Sequence, residues 1–329
     1  MNHNANAIPA VLEARQLTKH YQLDFDLFGR PRKTVNALDD VSLAVQRGET
    51  VSVVGESGCG KSTLGRTLLM LQPPTSGEVY LEGERVDLLK GQDLRKRRQK
   101  AQIIFQDPYS SLNPRIRIGA SLAEPLLNFG LVKDEQEAEP LVVQLLRKVG
   151  LPESAINRYP HEFSGGQRQR IAIARALAPA PSVIVCDEAV SALDVSVKAQ
   201  IVNLLRDLQA ETGLSLLFIS HDLAIVENLS HRIAVMYLGR IVELGTRKAV
   251  IGAPCHPYTR VLLSAVPRPD PDAPVTRNLL QGDVPSPVNP PSGCRFHTRC
   301  PYAQAKCRNE TPLLRQIDPD HAIACHYDL

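Results

Sequence analysis

A glycine-rich loop between an apolar run and a helical pattern constrains the fold of this chain more than any other feature. Residues 55–63 read Gly-Glu-Ser-Gly-Cys-Gly-Lys-Ser-Thr and match the pattern G-x-x-x-x-G-K-[ST]. The β-rich run Thr50–Val54 precedes the loop, and Lys61–Leu71 follows it with a helical pattern. A strand, a glycine loop and a helix in this order predict a phosphate-binding unit in an α/β fold.

The loop residues predict a site for a nucleoside triphosphate. Backbone N–H groups of a glycine loop can close around the phosphates, and the helix that follows adds the positive end of its dipole. Lys61 would reach the β- and γ-phosphates, and the Ser62 hydroxyl would ligate Mg²⁺. The predicted nucleotide contacts are Gly55, Ser57, Gly58, Cys59, Gly60, Lys61, Ser62 and Thr63.

Alternating strand and helix patterns predict a mostly parallel sheet that is covered by helices on both faces. Residues from about 107 to 175 are helical in pattern and poor in strands, which predicts a helical subdomain inserted into the sheet domain. Residues 232–243 surround Gly239 and predict an antiparallel hairpin near the sheet edge. The other strand predictions are 103–105, 183–186 and 216–219.

The composition indicates a folded chain for which any membrane role must come through a partner. Of 329 residues, 43% are hydrophobic and 22% are charged, which argues against global disorder. A formal net charge of +3 neither favours nor excludes a nucleic-acid partner. No run approaches the ~20 apolar residues that cross a bilayer, and residues 1–10 lack the apolar centre of a secretion signal.

A predicted strand ends in two acids, Asp187 and Glu188. Because ligands of open α/β sheets bind at the carboxyl ends of strands, we expect these acids beside the glycine loop. Asp187 then suits the coordination shell of Mg²⁺, and Glu188 suits polarisation of the attacking water. The alternative is that the two acids merely end a strand.

A second anion site is predicted where Ser164, Gly165 and Gly166 open a helix. The serine hydroxyl, the bare N–H groups and the helix dipole would together bind a phosphate. The alternative is a capped helix with a flexible start. A second phosphate-binding loop in a chain that already has one is explained if the second loop binds the ATP of another molecule.

The order and spacing of these motifs resemble those of ABC ATPases. Phe163–Gln167, in which Ser164 lies 23 residues before Asp187, is similar to the signature motif of that family. Ser191–Asp194 matches the D-loop, and the likeness covers about residues 12 to 250. The resemblance implies that two such subunits meet head to tail and enclose each nucleotide between them.

The same resemblance implies roles for single residues. Gln106 matches the Q-loop residue, and His221, directly after a predicted strand, matches the switch histidine. Tyr21, forty residues before Lys61, is similar to the aromatic residue that stacks on adenine. The implied catalytic residues are Glu188, His221 and Gln106. The implied ligands of Mg²⁺ are Ser62, Gln106 and Asp187, and the implied contacts to a partner's ATP are Ser164, Gly165, Gly166 and Gln167.

The C-terminal part narrows the resemblance. Cys255–Thr259, a proline-rich stretch at 267–291 and Cys294–Pro301 are similar to the C-terminal extension of oligopeptide, dipeptide and nickel importer ATPases. The chain most resembles the second ATPase subunit of a dipeptide importer. This implies an ABC ATPase domain at 11–255 and an extension at 256–329. It also implies a paralogous ATPase, two permease subunits and an extracytoplasmic binding protein as partners. The chain would lie peripherally at the cytoplasmic face of the inner membrane.

Four cysteines, Cys294, Cys300, Cys307 and Cys325, crowd into the last 36 residues. In a cytosolic chain such a set favours metal over disulfides. Four thiolates can hold Zn²⁺ or an iron–sulfur cluster, and the missing C-x-x-C pairing counts modestly against zinc. The resemblance implies a four-iron four-sulfur cluster in a structural role, and unliganded thiols are the third alternative.

The function that the resemblance implies is ATP hydrolysis that powers uptake of dipeptides or oligopeptides, without a nucleic-acid partner. A nickel or other small-solute importer is the alternative among transporters. A soluble ABC ATPase acting on nucleic acid or ribosomes would usually carry two cassettes or a long coiled coil, and neither is visible in the sequence. A scaffold that binds ATP without turnover is disfavoured by intact Gln106, Glu188 and His221.

Overall fold

A computed structural model describes residues 10–25, 31–107, 111–265 and 282–328 of the chain. The strands in chain order are β1 Ala10–Phe25, β2 Pro31–Gln46, β3 Thr50–Val54, β4 Ser76–Leu81, β5 Glu84–Arg85, β6 Ala101–Ile104, β7 Val183–Asp187, β8 Ser215–Ile219, β9 Arg232–Tyr237, β10 Arg240–Thr246, β11 Arg315–Asp318 and β12 His321–Ile323. The helices are α1 Lys61–Leu68, α2 Gly91–Arg98, α3 Ile118–Asn128, α4 Glu135–Lys148, α5 Gly165–Leu177, α6 Val195–Thr212, α7 Leu223–Leu229, α8 Arg247–Gly252, α9 Pro257–Ser264 and α10 Ala305–Asn309.

The described residues fall into two compact units, each assembled from separate stretches of the chain. The described part of unit 1 comprises residues 10–13, 44–50, 80–107 and 111–219, and that of unit 2 comprises residues 14–25, 31–43, 51–79, 220–265 and 282–328. Unit 1 therefore carries the two acids and the Ser164 loop. Unit 2 carries the glycine loop and the four tail cysteines.

Unit 1 contains the parallel strands β6, β7 and β8. Their register places Ile104 opposite Cys186 and Asp187 opposite Ile219. Every residue of β7 and β8 is buried, which explains their nearly unbroken apolar sequences, because a strand covered on both faces has no solvent side. Between β6 and β7 the described residues contain the helices α3, α4 and α5 and no strand, in agreement with the helical pattern of that stretch.

Unit 2 contains a mixed sheet. Strand β3 pairs in parallel with β9, and β9, β10, β12 and β11 continue the sheet with antiparallel pairs. The hairpin predicted around Gly239 is confirmed, since β9 and β10 join through Leu238 and Gly239, which have φ of +43° and +80°. Glu243 of β10 lies opposite Ile323 of β12, so the C-terminal tail is part of this sheet. In a separate sheet the strand order is β2-β1-β4.

The predicted order of strand, glycine loop and helix is confirmed by β3 and α1. Helix α1 ends three residues before the predicted Leu71, because Met70 takes a left-handed φ of +54°. The proline-rich stretch lies mostly outside the described residues, and its described part, 282–291, forms neither helix nor strand. None of the helices in the described part of the chain has the length and apolar character to span a membrane.

Candidate functional site

The glycine loop makes a tight turn into α1. Gly58 and Gly60 take left-handed backbone angles, with φ of +78° and +105°. A Cβ on Gly60 would strike the backbone oxygen of Ala37, whereas a Cβ on Gly58 would meet no atom within 4 Å. Glycine is therefore required at position 60 by a close backbone approach, and Gly58 lies on the open side of the loop.

The Lys61 ammonium is held inside this loop. Its Nζ donates hydrogen bonds to the backbone oxygens of Gly55 at 2.9 Å and Glu56 at 3.0 Å. The residue is 4% exposed, so water screens its charge little. The N-terminus of α1 adds positive potential at the same place. A buried ammonium, left-handed glycines and a helix N-terminus suit a triphosphate, and these residues therefore fit the predicted nucleotide.

The remaining loop residues flank the ammonium. Ser57 is exposed, while Ser62 and Thr63 are partly buried in the first turn of α1. The Cys59 Sγ lies 3.9 Å from the Lys61 Nζ, and burial raises the pKa of this thiol. Cys59 is thus a protonated packing residue at neutral pH. The Ser62 hydroxyl is a hard oxygen ligand of the kind that Mg²⁺ prefers, as are the Gln106 amide and the Asp187 carboxylate.

In unit 1 the two acids lie at the end of β7. Asp187 is the last residue of the strand and is buried. Glu188 follows with a φ of +50°, and its N–H donates to the Ile219 oxygen at 3.0 Å. The Gln106 Nε2 donates to the Glu188 Oε2, also at 3.0 Å. The structure therefore brings Gln106 and Glu188 together, and the left-handed backbone at Glu188 is a form of strain that clusters at functional positions.

The Ser164 loop begins α5 with a capping box. The Ser164 Oγ accepts the Gln167 N–H at 3.3 Å, and the Gln167 Oε1 accepts the Ser164 N–H at 3.0 Å. A Cβ on Gly166 would lie 2.5 Å from the Val197 Cγ1, so this glycine permits close packing against α6. The capped helix is present, and its start still leaves the N–H groups of Gly165 and Gly166 for an anion.

Tyr21 and His221 both belong to unit 2. The Tyr21 hydroxyl donates to the Gln72 Oε1, and the Lys19 Nζ lies 5.1 Å from the centroid of the Tyr21 ring. His221 is exposed and directly follows Ser220. The roles of Tyr21 as adenine platform and of His221 as switch histidine stay predictions.

The four tail cysteines are free thiols. The Cys294 N–H donates to the Cys307 backbone oxygen at 2.8 Å. Burial raises the pKa of Cys294 to about 11, and the thiols of Cys307, Cys325 and Cys300 add to that rise. The Cys294 thiol therefore lies within electrostatic reach of the other three. A bound cation would oppose the rise in the pKa of Cys294 by stabilising its thiolate.

Another set of ligand-type side chains lies closer together. Among the described residues, ligand atoms of Glu243, Cys255 and His321 lie within 4.8 Å of one another, a compactness that the tail cysteines do not reach. The buried Glu243 carboxylate lies 2.6 Å from the His321 Nε2 and accepts the N–H groups of Cys255 and His256. Sequence reasoning missed this cluster because 78 positions separate Glu243 from His321. The pairing of β10 with β12, which brings the two residues together, is visible only in the structure.

Two family models match this chain. The model of the ABC transporter family matches residues 38–191, which include the glycine loop and the two acids. The model of the oligopeptide/dipeptide transporter C-terminal region matches residues 242–307, which include three of the four tail cysteines. The two matches thus fall on the two parts of the chain from which the sequence resemblance was drawn.

Known relatives match nearly the whole chain. A probable peptide ABC transporter ATP-binding protein of Sinorhizobium fredii is 56% identical over 317 residues, which is 96% of this chain and 90% of the relative. The oligopeptide transport ATP-binding protein OppF of Escherichia coli is 50% identical and covers 99% of this chain and 98% of its own length. The dipeptide transport ATP-binding protein DppF of Haemophilus influenzae is 50% identical, with 96% of each chain covered.

Solved structures share the fold. A dimeric ATP-binding cassette in a post-hydrolysis state with ADP and Pi is 30% identical, with a TM-score of 0.64 over 72% of this chain and 98% of its own. The cbiO1 protein of Clostridium perfringens, part of an ABC transporter complex, is 27% identical, with a TM-score of 0.64 over 74% and 91%. These likenesses confirm the fold class that the sequence predicted.

Proposed function

This chain belongs to the ATP-binding proteins of peptide ABC transporters, and from that membership we propose that it hydrolyses Mg-ATP to power the import of dipeptides or oligopeptides. The observation that carries the proposal is the Lys61 ammonium, held by two backbone oxygens inside a glycine loop at a helix N-terminus. The cargo is supported by relatives of peptide, oligopeptide and dipeptide transport that match over nearly full length.

The proposed mechanism divides the work between binding and proton transfer. The Lys61 loop binds the phosphates and Tyr21 stacks on the adenine. Ser62, Gln106 and Asp187 would hold Mg²⁺, which neutralises charge on the β- and γ-phosphates. Glu188 polarises the attacking water and accepts its proton on a carboxylate oxygen. Gln106 orients that carboxylate through the 3.0 Å hydrogen bond. His221, as the switch histidine, is the third catalytic residue of the proposal.

A second ATPase subunit completes each nucleotide site in this proposal. Ser164, Gly165, Gly166 and Gln167 of one subunit bind the γ-phosphate of the ATP in the Lys61 loop of the other. ATP then favours the closed pair, because only the closed pair offers both phosphate-binding loops. The dimeric cassette with ADP and Pi supports a paired arrangement. For this chain we propose a paralogous ATPase as the second subunit.

The remaining proposed partners are two permease subunits and an extracytoplasmic binding protein. The chain would lie peripherally at the cytoplasmic face of the inner membrane, with an ATPase domain at 11–255 and a C-terminal extension at 256–329. A groove of about 450 Å³ in unit 1 supports permease docking. Phe105 and Phe129 line it together with basic side chains, so an amphipathic cytoplasmic segment fits it. Phe105 directly precedes Gln106, which is hydrogen-bonded to Glu188. A permease segment that docks against Phe105 would therefore change the position of Glu188 through Gln106.

Reconstitution tests the cargo. We expect proteoliposomes that contain the chain, its ATPase partner and its permeases to take up a labelled dipeptide only when ATP and the binding protein are present. A Lys61→Ala chain should give no uptake, because the loop loses the ammonium that binds the phosphates. Uptake of Ni²⁺ in place of peptide would overturn the peptide cargo. Full ATPase activity in a chain that never associates with permeases would overturn import.

We further propose that the tail cysteines hold a four-iron four-sulfur cluster in a structural role, with Zn²⁺ as the alternative. A tetrahedral zinc site with Zn–S bonds of about 2.3 Å brings its sulfurs to about 3.8 Å from one another. The tail cysteines do not form so compact a set. A cluster places iron and sulfide between the thiolates and so suits a wider spacing. None of the four forms a disulfide, so all four sulfurs are able to ligate a bound group of either kind.

Metal analysis of two cysteine variants tests this site. We expect anaerobically purified wild type to contain iron and acid-labile sulfide, and the variant Cys307→Ser to lose both, because one of four ligands is gone. Cys255→Ser is the matched control outside the tail set and should keep them. Zinc in place of iron would contradict the cluster. A metal lost from Cys255→Ser alone would move the site to Glu243, Cys255 and His321.

A further inference from the structure

The cysteine-bearing tail contacts the glycine loop through an ion pair. The Glu56 carboxylate, in the second position of the loop, accepts hydrogen bonds from the Nη1 and Nη2 of Arg299 at 2.7 and 3.1 Å. The Arg299 side chain is 6% exposed, against 26% for Glu56, so the arginine reaches the loop from the protein interior. Two N–H···O bonds from one guanidinium fix the orientation of the carboxylate, and the positive guanidinium compensates its negative charge.

The backbone of Glu56 is held by helix α9, which packs against the tail. Its N–H donates to the Tyr258 hydroxyl at 2.8 Å. The Tyr258 ring lies 5.4 Å from the ring of Phe296, a buried residue of the tail segment Cys294–Cys300. The Tyr237 ring packs against both, at centroid distances of 4.8 and 5.2 Å. These aromatic contacts join the loop and the tail segment into one packed cluster.

A third connection runs through the turn between β9 and β10. Arg295, also in the tail segment, donates to the Leu238 backbone oxygen and pairs with Asp39. The next residue of the turn, Gly239, donates its N–H to the Cys59 backbone oxygen in the loop at 2.8 Å. The tail segment is therefore connected to the loop on both sides of Gly58.

We propose that the tail segment Cys294–Cys300 sets the conformation of the phosphate-binding loop, with Arg299 as a positioning residue that acts through Glu56. This rests on the proposed function, since it requires that the Lys61 loop receives ATP. The Glu56 carboxylate lies in a loop that takes up several phosphate charges, and the Glu56 backbone oxygen holds the Lys61 ammonium. Without Arg299 the carboxylate would repel the nucleotide, and a displaced backbone would misplace the ammonium.

The coupling acts in both directions. Arg299 directly precedes Cys300, so whatever binds the tail thiols also fixes the position of the guanidinium. Thermodynamic linkage then requires that ATP stabilises the tail segment by the same factor by which the tail segment strengthens ATP binding. Whether a group is bound to the tail cysteines therefore changes the affinity of the loop for ATP.

A charge-matched mutant cycle tests the positioning role. We expect Arg299→Ala to weaken Mg-ATP binding about tenfold, within the usual range of coupling between sites, with kcat at saturating ATP nearly unchanged. Arg299→Lys should recover part of this loss. In a Glu56→Gln background, Arg299→Ala should cost little, because the carboxylate that needs neutralising is gone. The loss should also shrink as salt is raised, since salt screens the partly exposed carboxylate.

Arg308→Ala, which removes an exposed arginine of the same tail, is the control and should bind ATP as the wild type does. Hydrogen exchange of the wild-type tail segment gives a second measurement that needs no variant. Mg-ATP should slow exchange in Cys294–Cys300 by about the same tenfold factor. The coupling is overturned if the wild type binds ATP but Arg299→Ala weakens ATP binding equally in the wild-type and Glu56→Gln backgrounds. It is also overturned if ATP leaves hydrogen exchange in the tail segment unchanged. A wild type that does not bind ATP overturns the proposed function itself.

Discussion

Replacing Glu188 by glutamine is expected to lower ATP turnover by about 10²–10⁴-fold, the range that loss of a general base produces. Glutamine has the same shape and can keep the hydrogen bond with Gln106, but its amide cannot accept the proton of the attacking water. The phosphate-binding loop is untouched, so ATP should still bind and still close the ATPase pair. Turnover is measured as phosphate release by the assembled transporter, and closure by the ATP-dependent association of the ATPase subunits.

Glu135→Gln provides the matched control, because Glu135 is an exposed glutamate at the start of α4 in the same unit. It should leave both turnover and closure unchanged. Near-normal turnover in the Glu188→Gln transporter would remove Glu188 from the catalytic role. A loss of closure together with turnover would indicate that Glu188 is needed to assemble the site rather than to move the proton.

The parts of the fold that could be predicted from the sequence are those whose pattern is local. Strands β3, β7 and β8 are buried throughout, so each is a short run of mostly apolar or β-branched residues that stands out from its neighbours. The hairpin could be predicted because Gly239 supplies the left-handed turn between two apolar runs. The glycine loop could be predicted for a similar reason, since its glycines and its lysine are adjacent in the chain.

The contacts that could not be predicted join residues far apart in sequence. Arg299 and Glu56 are separated by 243 positions, and no periodicity relates them. The tail strands β11 and β12 are short and only partly apolar, so no strand pattern marked their entry into the sheet of unit 2. That Gln106 and Glu188 share one site could be predicted only from the order of motifs in the family. Their 3.0 Å contact required the structure.

The Ser164 loop allows a sharper test of the shared nucleotide site than a bulky substitution would. Ser164 caps α5, so most replacements would both destabilise the helix and change the anion site. Aspartate and asparagine cap helices about as well as serine does and have nearly the same shape as each other. Ser164→Asp and Ser164→Asn therefore differ in one respect only, the negative charge that aspartate places where the γ-phosphate is expected.

We expect Ser164→Asp to reduce turnover of the assembled transporter at least about 100-fold and to abolish ATP-driven closure, because a like-charge contact at an interface costs several kcal/mol. Ser164→Asn should keep most of both activities. ATP binding to the Lys61 loop of the isolated chain should be the same for both variants, since that loop needs no second subunit to hold the phosphates. Equal behaviour of the two variants in turnover would mean that Ser164 does not face a γ-phosphate. Weaker binding of ATP by the isolated Ser164→Asp chain would place Ser164 and Lys61 at the same nucleotide within one subunit, and the site would then not be shared between two.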